Sequence, residues 1–276
     1  MKKKLSLILS MLLCFTFIGC GNSKTSSDSS NSSSASESTS DSTDNKESVE
    51  LIISAAASLK EAMGDIEPLF IAKYPNVKLT FNFGASGSLQ QQIEQGAPAD
   101  VFISAGQTQM TALKDESLMV DDTCKNLVTN KLVLVGPSDT TITSLNDLAT
   151  DKVSTIAVGE PSSVPAGKYA DEVLKNSNIY DSVSSKLVFA KDVKEVLAWS
   201  TSGNADVGFV YLSDALSNNS AKIIETVSED LHSSITYPIG VIKSTTHLDE
   251  SKNFTDFLFS DESKAIFEKY GYSLAE

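Results

Sequence analysis

From Val49 onward the apolar and polar positions of the chain follow two alternating periods. Leu51-Ile52-Ile53 is a short apolar run, and Val77-Lys78-Leu79-Thr80-Phe81-Asn82-Phe83 alternates apolar with polar like a half-buried strand. Between them Leu59, Ala62, Met63, Ile66 and Phe70 keep helical spacing. Beyond the second run Leu89 and Ile93 do the same, until Gly96 closes the pattern. These periods predict strands over 51–54 and 77–83 and helices over 59–70 and 89–95. Pro68 falls inside the first helix, where its ring would crowd the Gly64 carbonyl, so a kink or an early end is expected there. Further strands are predicted over 99–104, 131–136, 155–159, 186–189 and 207–211, with helices over 167–176 and 192–201. Alternation of this kind favours open α/β sheets with ligands at the carboxyl ends of their strands.

Before Val49 the pattern changes. Met1-Lys2-Lys3-Lys4 is basic, and Leu5 to Ile18 is apolar but too short for an ordinary membrane span, so residues 1–19 read as an export leader. Its end, Phe17-Ile18-Gly19-Cys20, resembles a bacterial lipobox, in which the cysteine becomes the lipidated first residue; Phe17 stands where leucine is usual. Cys14 is the poorer candidate because bulky Leu13 precedes it. Residues 20–48 follow as the lipidated cysteine and a serine-dominated segment without large apolar residues, a composition that offers a hydrated tether.

Charge and cysteine then narrow the chemistry. With Lys2, Lys3 and Lys4 removed, the formal charge goes from −14 to −17, which argues against nucleic acid as a partner. Only Cys20 and Cys124 remain, so no intramolecular disulfide is expected and no cysteine cluster for zinc or iron–sulfur chemistry exists. A bound anion would have to be held by local dipoles.

Two small-residue turns supply such dipoles. Ala55-Ala56-Ala57-Ser58-Leu59 and Phe83-Gly84-Ala85-Ser86-Gly87-Ser88-Leu89 each lie where a strand hands over to a helix. A helix start carries unpaired N–H groups and the positive end of the dipole, and small side chains let an oxyanion approach them. The competing reading is local: Ser58-Leu59-Lys60-Glu61 and Ser88-Leu89-Gln90-Gln91 both fit capping boxes, in which the serine serves only its own helix. In the second half Val164-Pro165-Ala166-Gly167-Lys168 again joins a strand to a helix, Asp192-Val193 opens another helix, and Tyr211 follows a strand end. Glu160 and Asp192 flank these turns and are expected to be solvated or capping. Trp199 is expected in helix packing, and His232 and His247 at the surface, since neither has metal-ligand spacing or a partner motif.

The order of these pieces resembles the molybdate-binding proteins of bacterial molybdenum ABC importers. The similarity runs from about Leu51 to Tyr272. It is carried by the two serine turns, Gln95-Gly96-Ala97-Pro98-Ala99-Asp100-Val101-Phe102-Ile103-Ser104-Ala105, Val164 to Ala170, Asp192-Val193, Val210 to Ala215, Tyr237-Pro238 and Phe267 to Gly271. The resemblance implies a two-lobed α/β fold of the periplasmic-binding-protein type II class. Lobe one would span 49–130 and 237–276 and lobe two 131–236, with two crossover segments forming a hinge. A tetrahedral oxyanion would sit in the inter-lobe cleft.

It further implies that Ser58 and Ser86 donate from the first lobe and Ala166, Val193 and Tyr211 from the second, all to oxyanion oxygens and none to a bare metal ion. Gly84, Ala85 and Gly87 around Ser86 depart from a more serine-rich version, which leaves open which amide donates there. The ligand would be molybdate or tungstate, with no cofactor. The partners would be permease and ATPase subunits and the membrane through lipid on Cys20, the protein acting as an extracytoplasmic monomer without enzyme activity. Donor-only chemistry suits such ligands, because molybdate, tungstate and sulfate are full dianions at neutral pH, whereas phosphate often carries a proton that needs an acceptor. The nearest alternative is a binder of another oxyanion such as sulfate. An anchored enzyme is disfavoured, since Gly84-Ala85-Ser86-Gly87-Ser88 lacks the spacing of a nucleophile elbow, and an adhesin rests on the anchor alone.

Overall fold

The structure is a computed structural model that describes residues 48–275. The leader, Cys20 and the tether up to residue 47 lie outside the described residues. The chain forms two sheets flanked by helices, one sheet in each of two lobes.

The first lobe begins with β1 (Val49–Ala56), α1 (Lys60–Lys73), β2 (Val77–Gly84), α2 (Ser86–Glu94), β3 (Val101–Ile103), α3 (Gln107–Asp115) and β4 (Lys125–Thr129). The second lobe follows with β5 (Leu132–Pro137), β6 (Ile156–Gly159), α4 (Pro165–Asn176), α5 (Tyr180–Val183), β7 (Leu187–Ala190), α6 (Val193–Ser202), β8 (Val207–Tyr211), α7 (Leu212–Leu216) and β9 (Ala221–Thr226). The chain then returns to the first lobe as β10 (Thr236–Val241), α8 (Leu248–Phe257), α9 (Asp261–Lys269) and β11 (Ser273–Leu274).

The first sheet has the order β11-β4-β10-β3-β1-β2, the second β7-β6-β8-β5-β9. In each, the strands that aim at the cleft are parallel neighbours: β1 pairs with β2 and β3, and β6 with β7 and β8. Parallel pairs need crossovers, so every one of these strands ends at a turn that starts a helix on the sheet face. Leu51, Ile53 and Ala55 of β1 are fully buried, as are Ile156 and Ala157 of β6.

Helix α1 does not end early at Pro68 but runs on to Lys73. Pro68 and Gly64 lie together on the exposed face, so the Gly64 carbonyl deprived of an amide partner is open to water and the missing bond is tolerated. Pro238 poses the same problem in β10, which lies between β4 and β3. There the pairing with β4 slips by a bulge at Tyr237/Pro238, which absorbs the absent N–H.

Two segments join the sheets, Asn130-Lys131 and residues 227–235. They are tied side by side where Asn130 N–H donates to the Ile235 carbonyl at 3.1 Å and Val227 N–H to that of Leu132 at 2.9 Å. A two-strand connection of this kind lets the lobes rotate as bodies about one axis.

Candidate functional site

Ser58, Ser86, Ala166, Val193 and Tyr211 all line one small cavity between the lobes. The remaining walls are Ala56, Ala57, Gly84, Ala85, Ala105, Val164 and Pro165, so among the described residues no ionised side chain lines it.

Four of the five positions belong to helix starts. Ser58 sits in a single helical turn, Ala57–Leu59, between β1 and α1; Ser86 and Val193 are the first residues of α2 and α6, and Ala166 is the second of α4. The first amides of a helix have no acceptor inside it, and four such starts aim partial positive charge into one space. Pro165 opens α4 without surrendering a donor, since its nitrogen carries no hydrogen. Gly167 is required by close approach: a Cβ there would stand 1.9 Å from the Gly159 carbonyl oxygen, so the start of α4 is pressed against the end of β6.

The serines are not caps. Neither α1 nor α2 has a side-chain cap, and Ser88 lies inside α2, which starts at Ser86 rather than after Ser88. Ser86 Oγ instead accepts from the Ala105 N–H at 2.9 Å, and Ser58 Oγ lies 2.9 Å from the Tyr237 hydroxyl. Each oxygen thus has a partner within the protein and a hydroxyl hydrogen that can turn to a ligand. Asn130 explains the direction at Ser58. Its Oδ1 accepts from Lys131 N–H at 2.8 Å, which leaves Nδ2 to donate to Ser213 Oγ at 2.9 Å and to the Tyr237 oxygen at 3.3 Å. With Asn130 donating to it, the Tyr237 hydroxyl has its own hydrogen available for Ser58 Oγ.

Tyr211 is fully buried at the end of β8, and its hydroxyl has no hydrogen-bond partner among the described residues. A tyrosine that merely packs in the core would place this group on a carbonyl; here it is an unpaired donor of a residue lining the cavity. Burial pushes the phenols of both Tyr211 and Tyr237 well above the ordinary tyrosine range, so both remain donors at any physiological pH.

The lobes touch across the cavity. Gly87 N–H donates to the Ser163 carbonyl at 2.9 Å, which commits that amide of α2 to the other lobe. Asp192 caps α6 by accepting from Glu195 N–H at 2.9 Å, Glu160 is exposed, and Trp199 is packed against the core, as their residue types suggest. His232 is a correction: it is buried, not superficial, with Nδ1 2.8 Å from the Ser233 carbonyl and its ring 5.9 Å from that of Tyr169. Glu229 and Asp230 nearby are exposed, while the imidazole packs beside Tyr169 of α4. Among the described residues no group of His, Cys, Asp and Glu could hold a metal ion, and no helix is long and apolar enough to cross a membrane.

Asn130, Tyr237 and Tyr272, whose hydroxyl donates to the Ser58 carbonyl at 2.8 Å, were not assigned roles from the sequence. Tyr237 falls within a segment that carries the family resemblance, but nothing in the local sequence of any of the three points to Ser58. They reach Ser58 only because the chain returns to the first lobe after the second is complete.

Comparison with known proteins places this geometry among relatives. The family described as bacterial extracellular solute-binding protein matches residues 51–273. The chain is 39% identical over 276 residues to a provisionally named ABC transporter substrate-binding lipoprotein of Bacillus subtilis, YvgL, covering 99% of each. It is 35% identical over 232 residues to the molybdate-binding protein ModA of Haemophilus influenzae, covering 82% of this chain and 91% of that one. A solved substrate-binding domain of a provisionally assigned molybdenum ABC transporter from Clostridium difficile superposes with a TM-score of 0.66 at 60% identity, covering 83% of this chain and all of the other.

Proposed function

The chain belongs to the bacterial extracellular solute-binding proteins, as a substrate-binding component of an ABC transporter, and we propose that its substrate is molybdate, with tungstate as the closest substitute. The observation that carries this reading is the buried, unpartnered Tyr211 hydroxyl in a cavity whose every wall is neutral and whose donors come from both lobes.

A tetrahedral dianion offers only acceptors. Ser58 and Ser86 each supply a hydroxyl and an amide, Ala166 and Val193 an amide each, and Tyr211 its phenol. Seven charge-assisted bonds at about 1.5–3 kcal/mol each sum to roughly 10–21 kcal/mol, a gross gain on the scale of the ~12 kcal/mol of nanomolar binding before the losses of association and closure. A lysine is unnecessary, and its absence helps selectivity: a positive charge would favour any anion, whereas fixed donors favour one size. Sulfate is smaller, and a rigid cage cannot shorten all its bonds at once. Protonated phosphate would point its own hydrogen at a donor.

The protein is proposed to be processed at Cys20, lipid-anchored outside the cytoplasm, monomeric, and to deliver its ligand to the permease and ATPase subunits of the importer. Calorimetric titration of the mature chain with molybdate, tungstate, sulfate and phosphate tests the reading. Tight, saturable binding of the first two and weak binding of the others is expected. Equal binding of sulfate or phosphate would overturn it in favour of a general oxyanion receptor.

A further inference from the structure

Beside the cavity, one ammonium joins the two lobes. Lys194, the second residue of α6, places Nζ 2.8 Å from Asp214 Oδ1 of α7 and 2.5 Å from Glu61 Oε2 in the first turn of α1. Asp214 is fully buried and belongs to the same lobe as Lys194, whereas Glu61 stands on the opposite lobe, three residues after Ser58. The Lys194 and Glu61 side chains are 23% and 35% exposed. Burial works against the Lys194 charge, but Asp214 and Glu61 outweigh it and hold its pKa above the usual lysine range. Opening the cleft would therefore separate Glu61 from Lys194 while Lys194 stays with Asp214.

We infer that the Glu61–Lys194 pair is a latch on the closed cleft, and that Glu61 is a positioning residue that sets how long the ligand is retained. The argument is one of preorganisation. A surface ion pair usually gains little because two long side chains must be ordered together. Here the buried carboxylate of Asp214 holds Lys194 in both open and closed forms, so closure orders Glu61 alone. The latch also lies between the two helix starts that present Ser58 and Val193, so it fixes the separation of donors from opposite lobes. It lends the anion no attraction, since two carboxylates face one ammonium, and so it acts on lifetime and not on choice of ligand.

The inference rests on the proposed capture of an oxyanion by lobe closure. Its test is rapid-mixing measurement of molybdate association and release with the full mature chain and its Glu61→Gln variant, together with the distance between spin labels placed one in each lobe. Release is expected to be about three- to tenfold faster in the variant, with association within about twofold and the molybdate-to-sulfate preference unchanged. The difference should shrink at high salt, because the pair is partly exposed. The melting temperature of the ligand-free variant should match that of the wild type, which separates a latch from a merely structural contact. Unchanged release, or an altered ligand preference, would overturn the inference. If the wild type binds none of the oxyanions, the substrate reading fails instead, and the latch is read from the spin-label distances of the ligand-free protein: a smaller closed fraction in Glu61→Gln upholds it, and an equal one refutes it.

Discussion

The Tyr237 hydroxyl lies 2.9 Å from Ser58 Oγ although 179 residues separate them, and this contact restricts the rotation of the Ser58 hydroxyl. Asn130 donates to Tyr237, and if Tyr237 in turn donates to Ser58, the Ser58 hydrogen is left for the cavity. Ser58→Ala should weaken molybdate binding by about 1.5–3 kcal/mol and Tyr237→Phe by about 1–2 kcal/mol. Because both act through one hydroxyl, the double variant should lose clearly less than the sum. Titration of the three variants checks this, and strict additivity would mean that Tyr237 does not act through Ser58.

Gly87 brings the backbones of the two lobes into direct contact across the cleft. A Cβ at this position would stand 2.6 Å from the Ser163 carbonyl oxygen and 2.8 Å from its Cα, neither of which can swing aside as a side chain can. Within α2, alanine is a better helix former than glycine by about 1 kcal/mol. Gly87→Ala should therefore leave the ligand-free protein as stable or slightly more so, yet weaken molybdate by about 1–3 kcal/mol, the scale of overpacking. Small-angle scattering should show the variant more expanded than the wild type at saturating molybdate. A variant that compacts and binds like the wild type would count against closure at this contact.

Four buried tyrosines bear on the pH response. Burial lifts Tyr169 to about 12, Tyr211 and Tyr237 well above the ordinary value, and Tyr272 above it also. An unfolded tyrosine titrates near 10, so above that pH the unfolded chain binds fewer protons than the folded one and stability falls as pH rises. Each such group leaves stability intact below about pH 10 and removes up to ~1.4 kcal/mol per pH unit between its unfolded and folded values. Denaturant unfolding followed against pH should show a steep alkaline loss, with phenolate absorbance of these residues appearing only together with unfolding. Phenolate signal from all the tyrosines near pH 10 in the folded protein would contradict it.

What the sequence shows and hides about this site has physical causes. The turns carrying Ser58, Ser86, Ala166 and Val193 are legible because a strand period gives way to a helix period at small residues, and a helix start is a donor site wherever it occurs. Their convergence is not legible, for nothing near Ser58 announces Val193 on another sheet. Strand β10 is hidden by Pro238, which argues against a central strand until the bulge beside Tyr237 is seen. Helix α1 runs through Pro68 because tertiary packing of Ile66 and Phe70 outweighs one lost bond on the wet face. The capping boxes at Ser58 and Ser88 are correct local patterns overridden by neighbours that only the fold supplies: Tyr237 for Ser58, and an earlier helix start at Ser86. His232 looks superficial beside Glu229 and Asp230, but the ring packs under Tyr169.

Tyr211 allows a test in which stability and binding move in opposite directions. Its hydroxyl is fully buried and unpaired within the protein, so it is a burden to the folded chain taken alone. Removing an unpaired buried polar group while keeping the ring should leave stability unchanged or raise it by about 1 kcal/mol. If the same hydroxyl donates to the bound dianion, its loss should weaken molybdate by about 1.5–3 kcal/mol, with sulfate affected in the same sense. Tyr211→Phe should therefore melt at or above the wild-type temperature without ligand, and below it at a molybdate concentration that saturates the wild type but not the variant, because stabilisation by a ligand follows its affinity. Melting curves in the two conditions make the comparison within one experiment. A variant less stable without ligand and unchanged in its affinity would show that the hydroxyl serves the core and not the anion.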